Sequence, residues 1–164
     1  SAPRFSTSST RLPARTSREA GLMVSKLIAY DQSLPADSAL LVADQNEGYN
    51  FEQSSAALLP GIPTSLQTTQ INRGQLGNES ARERLFDSLR NNQVVVNYTG
   101  HGSINLWSGG LLTADDTSAL NNPAHLPLFV MMTCLNGYFH DPALESLAAA
   151  LMEAQRGGAA GVFA

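Results

Sequence analysis

The sequence predicts an α/β fold in which a mainly parallel sheet is flanked by helices. Short apolar runs that suit buried strands alternate along the chain with longer amphipathic runs that suit helices. The runs SALLVA, VVV and LFVMM are apolar at successive positions, which is typical of strands covered on both faces. Strands that alternate with helices in this way build layered domains with a parallel sheet.

The composition of the 164 residues restricts the class of protein. A hydrophobic fraction of 43% and a charged fraction of 15% are typical of a globular domain with a real core. The net charge of −4, without any lysine or arginine cluster, argues against nucleic acid as a partner. No apolar run approaches the ~20 residues that span a bilayer, and nothing resembles a signal peptide. One cysteine, Cys134, excludes an internal disulfide.

In the first half of the chain the sequence predicts two helices and two strands. A helix is expected over residues 16–31, because Thr16 and Glu19 have capping-box spacing and four apolar side chains share one face: Ala20, Met23, Leu27 and Ile28. The run SALLVAD is a buried strand that ends in Asp44, and a short helix over 51–59 is ended by Pro60 and Gly61. The threonine-rich segment 63–72 is the second strand.

The second half continues the same alternation. A helix over residues 78–90 has one apolar face, formed by Ala81, Leu85, Phe86 and Leu89, and leads into the strand QVVVNYT. Thr113 and Asp116 have a capping spacing that predicts a short helix over 112–122. The strand LPLFVMMTC ends on Cys134, a helix follows over 142–156, and AAGVFA begins a fifth strand.

Chemically useful side chains stand where the predicted strands end. They are Asp44, then Asn72 and Arg73, then His101, then Cys134. Because ligands of open α/β sheets bind beyond the carboxyl ends of the strands, we expect these side chains at one edge. A thiol, an imidazole and a carboxylate are the set that nucleophilic catalysis uses, with a base for the thiol proton and a group that orients the base.

The segment TGHGS gives the histidine an unusual setting between two glycines. Free cysteine has a pKa near ~8.5, and a neighbouring imidazolium lowers that value, so His101 is a suitable base for Cys134. Gly100 and Gly102 are expected to let the chain turn sharply and to clear space for a substrate. The amides of Gly102 and Cys134 are then candidate donors to an oxyanion.

Simpler explanations stay open at this point. A cysteine that ends an apolar run is often a small buried hydrophobe, and a histidine in a glycine turn is often structural. The segment GHGSINLWSGG matches no phosphate-binding pattern, and the sequence contains no short metal motif. His125 and His140 are interpreted as solvated surface groups, and the pair Asp115–Asp116 as charge at a helix start.

Two segments together resemble the gingipain family of cysteine peptidases. They are NYTGHGS, followed by a tryptophan, and TCLNGYF; the flanking RLPARTSREAGLMVSKLIAYD and SLAAALMEAQRGGAAGVFA are also similar to family segments. The resemblance covers the chain from about residue 11 onward. It implies a caspase-like three-layer sandwich in which His101 and Cys134 form the catalytic dyad.

The resemblance also implies further roles for site residues. An acidic residue near the histidine is known in the family, and Asp44 is the nearest match, with Glu47 as the alternative. A buried carboxylate selects basic P1 residues in gingipains; Glu52 lies at a suitable distance after Asp44, although an exposed charge in a first helical turn is the simpler interpretation. Trp107 is a candidate wall of the substrate pocket or a packing residue.

The domain organisation follows from these elements. We expect an irregular polar start or linker over residues 1–10 and a gingipain-type peptidase domain over 11–164, truncated at its C-terminal end before a loop that walls the pocket in the family. No cofactor and no metal are needed for the chemistry, and the implied partner is a peptide or protein substrate. The resemblance implies a secreted or cell-surface protein. The alternatives are a catalytically silent peptidase-like scaffold of a larger secreted protein and a small-molecule-binding α/β domain with a structural thiol.

Overall fold

Five parallel strands form the sheet of the domain in the order β2-β1-β3-β4-β5. The computed structural model describes residues 12–33, 35–141 and 143–164, so the predicted polar start over 1–10 lies outside the described residues. The strands are β1 (Ser38–Ala43), β2 (Gln67–Asn72), β3 (Gln93–Thr99), β4 (Leu128–Met132) and β5 (Gly161–Phe163). The predicted parallel sheet is therefore confirmed.

Helices flank this sheet, as the sequence predicts. They are α1 (Ser17–Gln32), α2 (Phe51–Ala56), α3 (Arg73–Leu76), α4 (Asn78–Leu89) and α5 (Leu147–Glu153). The short helix predicted over 112–122 is a 3₁₀ segment, Asp115–Ala119. Its first turn follows from Asp116, whose carboxylate accepts hydrogen bonds from the amide and hydroxyl of Thr113 at 2.9 and 2.7 Å.

The core lies on one face of the sheet. Alternate strand positions point into it, together with α4, α5 and the segment 107–120; its largest buried side chains include Leu40, Tyr98, Trp107, Phe129, Met131, Leu85 and Leu151. The expectation that β4 is covered on both faces is wrong. Leu128 and Met132 are 43% and 54% exposed, and they lie on the face of β4 opposite to the buried Phe129 and Met131.

Helix α1 begins as predicted but buries only part of the expected face. Thr16 and Glu19 form the complete capping box. Of the four residues expected to face the core, Met23 is buried and Ala20 is half-buried, whereas Leu27 and Ile28 are exposed; Lys26 is buried as well. The reason is that the ammonium group of Lys26 donates to three main-chain carbonyls at the end of α5, at 2.9, 3.0 and 3.3 Å. Burial lowers the pKa of Lys26 to about 8.

Helix α5 is shorter than the helix predicted over 142–156. Its N-cap is Ser146, whose hydroxyl accepts from the amide of Ala149 at 3.2 Å. The amides of Leu147 and Ala148 donate instead to Ile104 O and Asn136 O at 2.9 and 3.1 Å. These two hydrogen bonds attach the start of α5 to the loop after β3, at Ile104, and to the loop after β4, at Asn136. Contacts with two distant loops therefore determine that α5 begins at Leu147.

Candidate active site

His101 and Cys134 occupy equivalent positions beyond two neighbouring strands. In the parallel register of β3 and β4, Thr99 pairs with Met132. His101 and Cys134 each lie two residues beyond that pair, and both side chains are exposed. The exposed thiol excludes the interpretation of Cys134 as a small buried hydrophobe. The ends of β1 and β3 also mark the point where the strand order reverses, which is where open α/β sheets bind ligands.

The main chain of His101 is held at both of its polar groups. Its amide donates to Asp44 Oδ2 at 3.0 Å. Its carbonyl accepts from the Tyr98 hydroxyl at 2.7 Å and from the Ser108 amide at 2.9 Å. Burial and the nearby charge of Asp44 raise the pKa of Tyr98, so its hydroxyl stays protonated and donates.

Asp44 forms a buried ion pair at the end of β1. Its side chain is 1% exposed, and its Oδ1 accepts a hydrogen bond from Nε of Arg73 at 2.6 Å; Nη2 of the same guanidinium lies 2.6 Å from that oxygen in a salt bridge. The same oxygen accepts from the amide of Gln45 at 2.7 Å. Asp44 therefore contacts His101 through the main chain and leaves the ring free. The predicted orientation of the imidazole by Asp44 stays a prediction; Glu47, the alternative, is exposed.

The imidazole of His101 packs against the first residue of α2. The rings of Phe51 and His101 lie edge to face, with centroids 4.9 Å apart. Helix α2 begins here because Asn50 caps it, accepting from the amide of Gln53 at 2.9 Å. One edge of the ring is thereby fixed while the rest stays accessible.

Gly100 and Gly102 make room for protein atoms, and the expectation that they clear space for substrate is wrong. A Cβ on Gly100 would lie 2.6 Å from the Tyr98 hydroxyl and even closer to the side chain of Asp44. A Cβ on Gly102 would lie 2.5 Å from Thr133 Oγ1 and 3.0 Å from Leu106 O. Glycine at both positions lets the loop after β3 pack directly on its neighbours.

Among the described residues, the amides predicted to bind an oxyanion have no internal partner. Gly102 pairs with Trp107 as an isolated antiparallel bridge, whose hydrogen bonds join Ser103 N to Leu106 O and Ser108 N to His101 O. Gly102 therefore lies at the non-hydrogen-bonded position of the bridge. Within the described part of the chain, neither the Gly102 amide nor the Cys134 amide donates a hydrogen bond.

The residue after the cysteine has a strained backbone. Leu135 has φ 61°, in the left-handed region that favours glycine. Such strain costs about 1–2 kcal/mol and accumulates at functional sites. A left-handed residue also turns successive amides toward one concavity, which is the geometry of an anion-binding nest.

Asn136 links the two loops and was not singled out from the sequence. Its side chain is 1% exposed, and its Nδ2 donates to Ser103 O and, at 3.2 Å, to Leu106 O. The loop after β4 is thus attached to the loop after β3 by one buried amide. The pattern C-x-N-G in TCLNGYF was the available signal for this role.

The two predicted substrate-binding residues differ in their settings. Glu52 is half-buried in the first turn of α2, and its Oε2 accepts from Gln75 Nε2 at 2.7 Å. Trp107 is fully buried and stacks on Tyr98 with centroids 4.2 Å apart, and its Nε1 donates to the sulfur of Met131 at 3.3 Å. A ring without accessible surface cannot contact a peptide in this conformation, so Trp107 fits the packing interpretation.

The described residues contain no cluster of three His, Cys, Asp or Glu side chains that could hold a metal ion. Across the same ranges, no helix is both long and apolar enough to cross a membrane. Two carboxylates of the described residues are held by arginines: the buried Asp44 pairs with Arg73, and the half-buried Asp116 pairs with Arg82 at 2.5 Å.

A parallel α/β sheet that carries a thiol and an imidazole beyond neighbouring strands defines the class of caspase-like cysteine peptidases. The model of peptidase family C25 matches residues 7–164, and the chain belongs to that family. Gingipain R2 and gingipain R1 of Porphyromonas gingivalis are each 33% identical to it over 76 residues. That segment is 46% of this chain and 10% and 8% of the two relatives.

Two solved structures are similar to the chain in fold. The crystal structure of the Arg-specific cysteine proteinase gingipain R superposes with a TM-score of 0.72 at 21% identity. The complex of Porphyromonas gingivalis RgpB pro- and mature domains superposes with a TM-score of 0.75 at 20% identity. Each match covers 92% of this chain and 38% of the solved chain, so the chain spans well under half of these proteins. The caspase-like fold predicted from the resemblance is confirmed.

Proposed function

We propose that this domain is the catalytic part of a gingipain-type cysteine endopeptidase, with Cys134 as nucleophile and His101 as base. The observation that carries the proposal is the register of β3 and β4, which places both residues two positions beyond the pair Thr99–Met132 with their side chains exposed. An exposed thiol and an exposed imidazole at equivalent positions of neighbouring strands, on the carboxyl edge of a sheet, suit covalent catalysis.

The reaction needs no cofactor. The imidazole of His101 takes the proton of the Cys134 thiol, and the thiolate attacks the scissile carbonyl carbon. The C–N bond of the tetrahedral intermediate then breaks as the imidazolium gives its proton to the leaving amine. A water molecule, deprotonated by His101, attacks the thioester, and the acid product leaves as the thiol is restored.

The oxyanion of both intermediates is proposed to bind the amides of Gly102 and Cys134. Among the described residues these amides have no internal partner, which supports this role, because a donor already engaged would have to break a hydrogen bond first. The left-handed φ of Leu135 supports it further, since a left-handed residue is part of the backbone geometry of an anion-binding nest.

Glu52 is the proposed contact for a basic P1 side chain. It directly follows Phe51, which packs on the His101 ring, and its carboxylate lies against Gly74 and Gln75 of α3, just beyond the carboxyl end of β2. The hydrogen bond from Gln75 leaves lone pairs of this carboxylate available. The alternative is that Glu52 is only an exposed charge at the start of α2.

A panel of fluorogenic peptides that differ only at P1 distinguishes a P1 contact from an exposed charge. If Glu52 contacts P1, Glu52→Gln should remove a preference for arginine or lysine and leave cleavage after uncharged residues unchanged.

The thiol itself provides the test of the catalytic dyad. We expect iodoacetamide to label Cys134 near neutral pH at least about tenfold faster than a free thiol, and His101→Ala to remove this excess. Both proteins should react equally near pH 10, where any thiol is ionised. Cys134→Ser, as the control, should abolish labelling and peptide hydrolysis. A thiol indifferent to His101, in a protein that cleaves no peptide of the panel, would establish the catalytically silent scaffold.

The surroundings of the protein follow from the same proposal. Family membership implies protein substrates. We propose that the protein acts outside the cytoplasm, at the cell surface or in the medium. Fractionation of the native host, with immunodetection of the domain, tests this; recovery in the cytoplasmic fraction alone would contradict it.

A further inference from the structure

Arg73 lies at the end of β2, two strands away from His101, yet its guanidinium reaches the partners of that histidine. Nε donates to Asp44 Oδ1 at 2.6 Å, Nη2 lies 2.6 Å from the same oxygen in a salt bridge, and Nη2 donates to the hydroxyl of Ser108 at 3.3 Å. The Arg73 side chain is 13% exposed. A Cβ on Gly109 would lie 2.9 Å from Nη1, so the loop main chain packs directly on the guanidinium.

The same two partners hold the main chain of His101. Asp44 accepts the His101 amide at 3.0 Å, and the Ser108 amide donates to the His101 carbonyl at 2.9 Å. Arg73 therefore contacts both Asp44, which accepts from the His101 amide, and Ser108, whose amide donates to the His101 carbonyl. A movement of the guanidinium would therefore disturb both contacts at once, while the hydroxyl of Tyr98 would still donate to the His101 carbonyl.

We propose that Arg73 is a positioning residue that fixes His101 through its main chain, by way of Asp44 and Ser108. The inference rests on the proposed function, since it assigns a role in placing the base of the dyad. It differs from a catalytic triad, in which the carboxylate contacts the ring of the base. Here the carboxylate sets the backbone from which the ring projects, while Phe51 sets the ring edge.

Arginine suits this position better than lysine for a geometric reason. The planar guanidinium presents several donors in fixed directions and serves Asp44 and Ser108 at once. An ammonium group supplies the charge but not this fork. Loss of the charge would leave the carboxylate of Asp44, 1% exposed, buried without a counter-ion, which is strongly unfavourable.

The test compares Arg73→Gln and Arg73→Lys with a matched ion-pair variant, Arg82→Gln. Arg82 also forms a partly buried pair, with Asp116, and holds the neighbouring carbonyls Gly110 O and Leu111 O, but it contacts no partner of His101. Steady-state kcat and KM on a cleaved peptide, thermal unfolding, and iodoacetamide labelling of Cys134 are measured for each purified protein.

We expect Arg73→Gln to lower kcat by about 10- to 100-fold with KM changed by less than about threefold, because displacement of the base slows chemistry more than binding. Arg73→Lys should recover part of that loss. Labelling of Cys134 by iodoacetamide should slow near neutral pH in Arg73→Gln and match wild type near pH 10. Arg82→Gln should lose thermal stability and keep kcat within about twofold of wild type.

A folded Arg73→Gln protein with wild-type kcat, or one whose KM alone rises, would overturn the inference. If Arg73→Gln does not fold, Ser108→Ala provides the test, because it removes the hydrogen bond between Arg73 and the Ser108 hydroxyl. We then expect kcat to fall about 2- to 10-fold at unchanged stability. An unchanged kcat would overturn the inference. Failure of the proposed function is distinguishable, because wild type itself would then show neither hydrolysis nor activated labelling.

Discussion

The loop that carries His101 and the loop that carries Cys134 are held in opposite ways. The main chain of His101 has partners on both polar groups, supplied by Asp44, Tyr98 and Ser108. Around Cys134, the main-chain amides of residues 134–136 donate no hydrogen bond within the described ranges. That loop is held instead by the side chain of Asn136 and by carbonyls that accept from Tyr138 and Ala148.

The difference follows from which group of each loop acts on a substrate in the proposed reaction: a side chain in one loop and main-chain amides in the other. A base acts through its ring, so its backbone can be fixed at every polar group without loss of function. Donors to an oxyanion act through the backbone itself, so their amides cannot also anchor the loop. A loop of this second kind must be anchored by a side chain and by carbonyls, which is the arrangement around Asn136.

Gly100→Ala should produce the largest effect, because it disrupts the packing of the loop that carries His101, the more firmly held of the two loops. The added methyl would meet the Asp44 side chain and lie 2.6 Å from the Tyr98 hydroxyl, so both partners of His101 must move. We expect the free energy of unfolding to fall by about 3 kcal/mol. Urea unfolding measures it, and Gly21→Ala is the control: it adds a methyl in open space inside α1 and should stabilise the protein by about 0.5–1 kcal/mol. Equal effects of the two variants would contradict the tight packing at Gly100.

Asn136→Ala should have the next largest effect, because it removes the link between the loops. Ser103 O and Leu106 O each lose a donor, which should lower the free energy of unfolding by about 2 kcal/mol. Because the oxyanion donors then move relative to His101, we also expect kcat to fall at least about tenfold.

Asn122→Ala is the matched control for that prediction. Asn122 is also buried and bonds the main chain of Gly158 at 2.8 and 3.1 Å, far along the chain from both loops. In urea unfolding, Asn122→Ala should lower the free energy of unfolding about as much as Asn136→Ala does. Its kcat should stay close to that of wild type. If both variants lost kcat to the same extent, Asn136 would be a structural residue without a specific role in linking the loops.

Leu135→Gly should have a smaller effect and of opposite sign. The left-handed φ of 61° costs leucine energy that glycine does not pay, and the leucine side chain is 58% exposed, so little packing is lost. We expect the melting temperature to rise and the free energy of unfolding to increase by about 1 kcal/mol. Leu135→Ala keeps the Cβ and should show no gain. A gain in both variants would mean that the exposed side chain, and not the backbone, is the source of the cost.

Local patterns predicted the elements of this site, and nonlocal contacts limited the prediction. The apolar runs VVV and LFVMM identified β3 and β4, and parallel pairing then brought His101 and Cys134 to one edge. The roles of Arg73 and Asn136 depend on partners about 30 positions away, which no spacing reveals. For the same reason α5 was predicted too long, because the amides at its start serve other loops.

The pH dependence of α5 should be the smallest effect and should leave both loops unchanged. Burial, followed by the charges of Glu145 and Glu19, raises the pKa of Glu153, the last residue of α5, to about 7. Because the pKa of the folded state exceeds the ordinary value of 4.5, the stabilisation is complete below pH 4.5 and is lost as pH rises through 7. Glu153 is half-buried and partly screened by solvent, so the loss should be no more than about 1 kcal/mol.

Urea unfolding at pH 5 and pH 8 measures this loss. Glu153→Gln should remove the difference between the two pH values, and Glu79→Gln, which changes an exposed charge in the first turn of α4, should retain it. The pH profile of kcat should match wild type in both variants; a displaced profile in Glu153→Gln would show that α5 transmits its charge state to the loops at its other end.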